Sequence, residues 1–82
     1  MYEIQLSLQA KKFLKKLNAK ERKRIYAVFE RVRIRPHHYA KKLVASDYFR
    51  IRVGTLRLIV DIRDGELIVL VVEIGERKNI YK

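Results

Sequence analysis

The apolar residues of this chain change their spacing once. Up to about residue 42 they recur every three or four positions, and beyond it they alternate with other residues over long runs. A spacing of three to four lines one face of a helix, and a spacing of two lines one face of a strand. The chain is therefore expected to be an α+β fold, with a helical half followed by an antiparallel sheet. Its 82 residues suffice for one core and not for two, so residues 1–82 are read as a single domain.

Residues 2–6 alternate briefly, with Ile4 and Leu6 on one side, and read as a short strand. Ser7 follows as a helix N-cap. Ala10, Phe13, Leu14 and Leu17 then form the apolar stripe of a first helix. Asn18 breaks it and caps a second helix from about Ala19 to Arg33, with Ile25, Val28, Phe29 and Val32 facing the core. Arg35-Pro36 ends this hairpin, because the residue before a proline avoids the helical region. The segment from Pro36 to Ser46 is expected to be irregular or weakly helical, and a three-strand meander begins after it.

Two short turns set the register of that meander. With Gly54-Thr55 as the first, Val53 opposes Leu56, Arg52 opposes Arg57, and Ile51 opposes Leu58. With Asp64-Gly65 as the second, Ile62 opposes Leu67 and Val60 opposes Val69. Opposed side chains share a face. One face then holds Phe49, Ile51, Val53, Leu56, Leu58, Val60, Ile62, Leu67, Val69 and Val71, to be covered by the two helices. The other carries Arg50, Arg52 and Arg57 together with Ile59, Ile68, Leu70, Val72 and Ile74.

Charge divides at the same boundary as the apolar spacing. The net charge is +11, and residues 1–42 hold 13 Lys and Arg against 3 Asp and Glu, while residues 43–82 hold 7 against 6. With 49% hydrophobic residues the chain is not a disordered basic tail. An excess cation count of this size favours a polyanionic partner. Lys11, Lys12, Lys15, Lys16, Lys20, Arg22, Lys23 and Arg24, all on the helical hairpin, are the residues expected to dock on a large RNA surface.

Cysteine is absent, which excludes disulfides and thiolate metal sites. No metal or cofactor is expected, since the adjacent His37 and His38 make a poor chelating pair in a loop. No apolar run is long enough to span a bilayer and no apolar leader is evident, so the expectation is a cytoplasmic protein without a membrane partner.

Two arginines directly opposed across a hairpin repel each other, at a cost on the scale of ~0.2–1 kcal/mol. The arrangement fits a site that receives phosphate, because a guanidinium stays charged and makes paired hydrogen bonds to phosphate oxygens. A solvated sheet face is the other reading of the same spacing.

The stretch YFRIRVGTLRLIVDIRDGELIVLVVEIGERKNIY, from Tyr48 to Tyr81, closely resembles the C-terminal half of the RelE family of toxins from toxin–antitoxin pairs, within the RelE/ParE superfamily. The shared features are a strand of basic residue, Ile, basic residue before a turn, an arginine strand after it, an apolar third strand, and a terminal G-x-R-x-x-apolar-Tyr segment. The N-terminal half matches more loosely as a strand and helical hairpin. The resemblance implies a RelE-like sheet with helices on one face. It also implies a ribosome-dependent endoribonuclease that cuts messenger RNA in the decoding site, needs no metal, and is neutralised by a wrapping antitoxin. Against a chain this basic, an acidic helical antitoxin is expected.

The resemblance places Arg57, Arg77 and Tyr81 in the catalytic set. Arg57 would stabilise the phosphorane, Arg77 would meet the leaving group, and Tyr81 would stack on or orient a base. Arg50, Arg52 and Lys78 would hold RNA phosphates. Arg50 and Arg52 stand where relatives often have lysine, and arginine does not serve as a general base. Glu76 stands where many relatives have histidine, and either acts as the base or pairs with Arg77. Two alternatives remain: a non-catalytic gyrase inhibitor of the related ParE type, and a basic RNA-binding module without cleavage activity.

Overall fold

The structure, a computed structural model, describes residues 1–76. Arg77, Lys78 and Tyr81 of the expected site lie outside the described residues. The elements are β1 (Glu3–Leu6), α1 (Leu8–Lys16), α2 (Ala19–Val32), α3 (Pro36–Tyr39), β2 (Lys41–Lys42), β3 (Phe49–Val53), β4 (Leu56–Arg63) and β5 (Ile68–Glu76). Their strands form one sheet in the order β1-β5-β4-β3-β2. Among the described strands, only the β1–β5 pair is parallel.

Both long helices start as the sequence predicts. Ser7 Oγ accepts from the Ala10 N–H at 3.1 Å and donates to the Val72 carbonyl at 2.6 Å, so one side chain caps α1 and ties it to β5. Asn18 Oδ1 accepts from the Glu21 N–H at 2.8 Å at the start of α2. Ala10 and Leu14 of α1 and Ile25, Phe29 and Val32 of α2 pack on Ile51, Val53, Leu56, Leu58, Val60, Val69, Val71 and Ile74 of the sheet. The helices thus cover one sheet face, as expected from the two spacings, and leave the arginine face to the other side.

Three details differ from expectation. Pro36 to Lys42 is ordered into α3 and the short strand β2 rather than left irregular. Proline suits the first helical turn, where its missing N–H and fixed φ cost nothing, and buried Pro36 anchors it here. Lys41 then pairs with Arg50, giving the sheet an edge strand that the sequence pattern did not reveal.

The β4–β5 connection is four residues, not two. Ile62 pairs with Val69 and Arg63 with Ile68, and Leu67 sits in the left-handed region at φ 54°, half exposed, instead of on the core face. Two successive turns, Glu66 N–H to Arg63 O and Leu67 N–H to Asp64 O, shape the connection, and the Leu67 carbonyl accepts from Glu3 N–H at 2.8 Å. Docking of β1 therefore uses the backbone of this turn. A left-handed leucine costs roughly 1–2 kcal/mol, a cost accepted in this turn.

The third difference is a bulge between Ile59 and Val60. Val60 pairs with Val71 but Ile59 pairs with Glu73, so Val72 is the extra residue. A one-residue insertion exchanges the faces of everything beyond it. Ile74, expected on the arginine face, is instead in the core, opposite Leu58, and Glu73 comes round to the arginine face.

The β4–β5 turn is also held by side chains. Asp64 Oδ1 accepts from the Tyr2 hydroxyl at 2.7 Å and from His37 Nε2 at 2.8 Å, while the His37 ring stands edge-on to Phe49. These hydrogen bonds, Tyr2 first and His37 second, hold the Asp64 carboxyl below its ordinary range. A carboxylate lowered by folding stabilises the native state above its unfolded pKa and loses that contribution as pH falls through the folded pKa. Asp64→Asn is accordingly expected to lower the melting temperature at neutral pH, with the gap closing as the wild type is acidified through that range. Thermal melts across acid pH check this, and a gap independent of pH would contradict it.

Candidate nucleic-acid interface

The Gly54-Thr55 turn forms as the sequence predicts. It sets Arg52 opposite Arg57, Ile51 opposite Leu58 and Val53 opposite Leu56. Gly54 has φ 61°, and a Cβ placed on it would lie 2.6 Å from Arg24 Nη1. The positive φ of the turn is what favours glycine there, since the exposed Arg24 side chain could swing away from a Cβ.

The face turned away from the helices presents side chains in rows across the strands. One row runs Gly75, Arg57, Arg52, and the next runs Glu73, Ile59, Arg50, Lys41. Toward the other end of β4, Arg63 Nε is 3.0 Å from Asp61 Oδ2, and this contact raises the Arg63 pKa. The basic excess of the face is therefore concentrated near the Gly54 turn.

Arg57 differs from expectation in its environment. The sequence places it on an outer face; it is on that face, but only 4% exposed, beside Ile59 at 7%. Arg50 is half-buried and Arg52 exposed. A guanidinium withdrawn from bulk water acts in a lower effective dielectric, so its charge is felt more strongly by a neighbouring anion.

The two carboxylates exchange prominence. Glu76 pairs with Leu56, in the register of the inward-facing set, and its side chain is exposed at the strand end. Glu73, half-buried, lies on the arginine face opposite Ile59 and diagonal to Arg57. Sequence reasoning missed Glu73 because strict alternation, without the bulge, assigns it to the other face.

Tyr39 and Lys41 were missed as well. With Arg50 and Arg52 they line a cavity of about 170 Å³ at the β2 edge of the arginine face. The tyrosine comes from α3 and the lysine from β2, the two elements hidden in the segment expected to be irregular.

On the helical hairpin, Lys11, Lys12, Lys15, Lys16, Lys20, Lys23 and Arg24 are exposed. Arg22 is half-buried and its Nη2 donates to the Leu17 carbonyl at 2.7 Å. It closes the end of α1, a structural task that the charge count did not foresee. Among the described residues no helix is long and apolar enough to cross a membrane.

The arrangement is similar to solved toxin structures. The isolated RelE toxin of E. coli superimposes with a TM-score of 0.81 at 22% identity, over 99% of this chain and 92% of that one. The RelBE2 toxin–antitoxin complex of Mycobacterium tuberculosis gives 0.82 at 23% identity, over 93% and 98%. An archaeal RelE–RelB complex from Pyrococcus horikoshii OT3 gives 0.78 at 17% identity, over 93% and 94%. These likenesses establish a RelE-like α+β fold. No curated protein sequence matches the chain. The family described as the ParE toxin of the type II toxin–antitoxin system, parDE, matches residues 4–81. With nearly the whole chain matched, the protein belongs to this family of toxins of type II toxin–antitoxin systems.

Proposed function

We propose that this toxin is a ribosome-dependent endoribonuclease that cuts messenger RNA without a metal, and that an acidic, helical antitoxin neutralises it by wrapping its basic surface. The reading is carried by one observation: a nearly buried Arg57 flanked by Arg52, with Arg50 in the next row, on the sheet face the helices leave uncovered. The antitoxin is supported by the complexes in which similar toxins were solved.

In the proposed reaction a ribose O2′ forms a bond to the adjacent phosphorus and the P–O5′ bond breaks. The products are a 2′,3′-cyclic phosphate and a 5′-hydroxyl. Arg57 stabilises the charge that builds on the non-bridging oxygens. Arg50, Arg52 and Lys78 hold flanking phosphates, Arg77 stabilises the charge on the leaving O5′, which takes a proton from water to become the 5′-hydroxyl, and Tyr81 grips a base. Glu73 takes the 2′ proton in preference to Glu76, because its register puts it on the Arg57 face. Glu73→Gln is expected to slow cleavage by about 10²-fold or more. A rate like the wild type would exclude Glu73 as the base.

The ParE description of the family favours a second reading, inhibition of gyrase without RNA chemistry. Purified toxin added to cell-free translation and to a gyrase supercoiling reaction separates the two. Translation is expected to stop while supercoiling continues; the reverse outcome would establish the second reading.

A further inference from the structure

We propose that Tyr39 and Lys41 form, with Arg50 and Arg52, a subsite in which a base of single-stranded RNA stacks on the tyrosine while its phosphate meets the cations. The inference rests on the RNA-cleaving reading and adds to it a binding element at the sheet edge.

Four observations place it there. α3 ends at Tyr39, its turn closed by the Ala40 N–H to Pro36 carbonyl bond at 3.1 Å, and buried Pro36 fixes α3 to the body. β2 then sets Lys41 directly opposite Arg50. The Tyr39 ring is propped edge-on by His38, with centroids 4.9 Å apart at 84°, yet the residue remains 40% exposed. Among the described residues, the cavity it lines has one aromatic and three cationic residues and no acidic one.

That combination selects for the ligand. An aromatic face binds a nucleobase largely regardless of sequence, and cations beside it follow the backbone, which is how single strands are gripped. An acidic peptide would use the cations but has no planar base to stack. A duplex keeps its bases stacked on one another, so single-stranded RNA is the occupant the site fits.

A short fluorescent 2′-O-methyl oligoribonucleotide, which cannot be cleaved through its 2′ oxygen, tests the site with the full chain in fluorescence anisotropy. Tyr39→Leu is expected to weaken binding about 5- to 150-fold, the range that loss of one base–aromatic stack spans, with Tyr39→Phe within about twofold of wild type. Circular dichroism should show both variants folded, since Tyr39 is substantially exposed. Binding by Tyr39→Leu equal to wild type, or a Phe variant as weak as the Leu one, would overturn the subsite. So would an acidic peptide that displaces the RNA from wild type but not from Tyr39→Leu. On ribosomes, Tyr39→Leu should raise the toxin concentration needed for half-maximal cleavage. The two proposals fail separately: Tyr39-dependent RNA binding without messenger cleavage retains the subsite and removes the enzyme, while cleavage with Tyr39-independent binding does the opposite.

Discussion

Arg57→Lys is expected to lower messenger cleavage by about 10²–10³-fold, the loss seen when one preorganised donor to a transition-state oxyanion is removed. Lysine retains the charge and much of the length but loses the planar fork that makes paired hydrogen bonds to phosphate oxygens. The substitution therefore separates geometry from charge. Alanine would be a poorer probe than the sequence suggests, because Arg57 is nearly buried rather than solvated and its truncation would remove packing as well. Melting temperature should be followed in parallel. Loss of cleavage with a near-native melting temperature supports the catalytic assignment; a cleaving Lys variant would reduce Arg57 to bulk charge, and loss of both would make its role structural.

The second large effect concerns the helical hairpin. Replacing Lys11, Lys12, Lys15 and Lys16 of α1 by glutamine keeps helix propensity nearly constant and removes four exposed cations. If these residues contact ribosomal RNA phosphates, each lost contact should flatten the dependence of log affinity on log salt by about 0.7–0.9. The combined change, roughly three units of slope for four contacts, is large enough to measure by ribosome co-sedimentation across a salt series. The variant should need more toxin to reach half-maximal cleavage, with a smaller effect on the rate once bound. An unchanged slope would show that α1 is a solvated face and that docking lies elsewhere. Arg22 is left out of this set because its guanidinium closes the end of α1.

The parts of this protein legible in its sequence are those fixed by local chemistry. Ser7 and Asn18 start their helices because their side-chain oxygens accept backbone N–H groups three residues on. The Arg52–Arg57 pairing followed from a two-residue turn that only Gly54 suits. What could not be read depends on partners distant in the chain. Leu67 is left-handed where a backbone carbonyl meets Glu3, more than sixty residues away in sequence. The Val72 bulge follows from two strands with different local registers, and alternation alone could not foresee that it carries Ile74 inward and Glu73 outward. Tyr39 and Lys41 belong to elements too short to show a period, so their place beside Arg50 emerged only from strand pairing. Arg57's burial is likewise a tertiary property; its face was legible and its environment was not.

The central claim, that the arginine face opposite the helices cuts messenger RNA during translation, is tested most directly by mapping messenger 5′ ends in a cell-free translation reaction with and without the toxin. The account predicts new ends within codons, bearing 5′-hydroxyls, that depend on ribosomes and are strongly reduced with Arg57→Lys. Translation proceeding normally with no new ends, or the same ends in equal yield with Arg57→Lys, would contradict it.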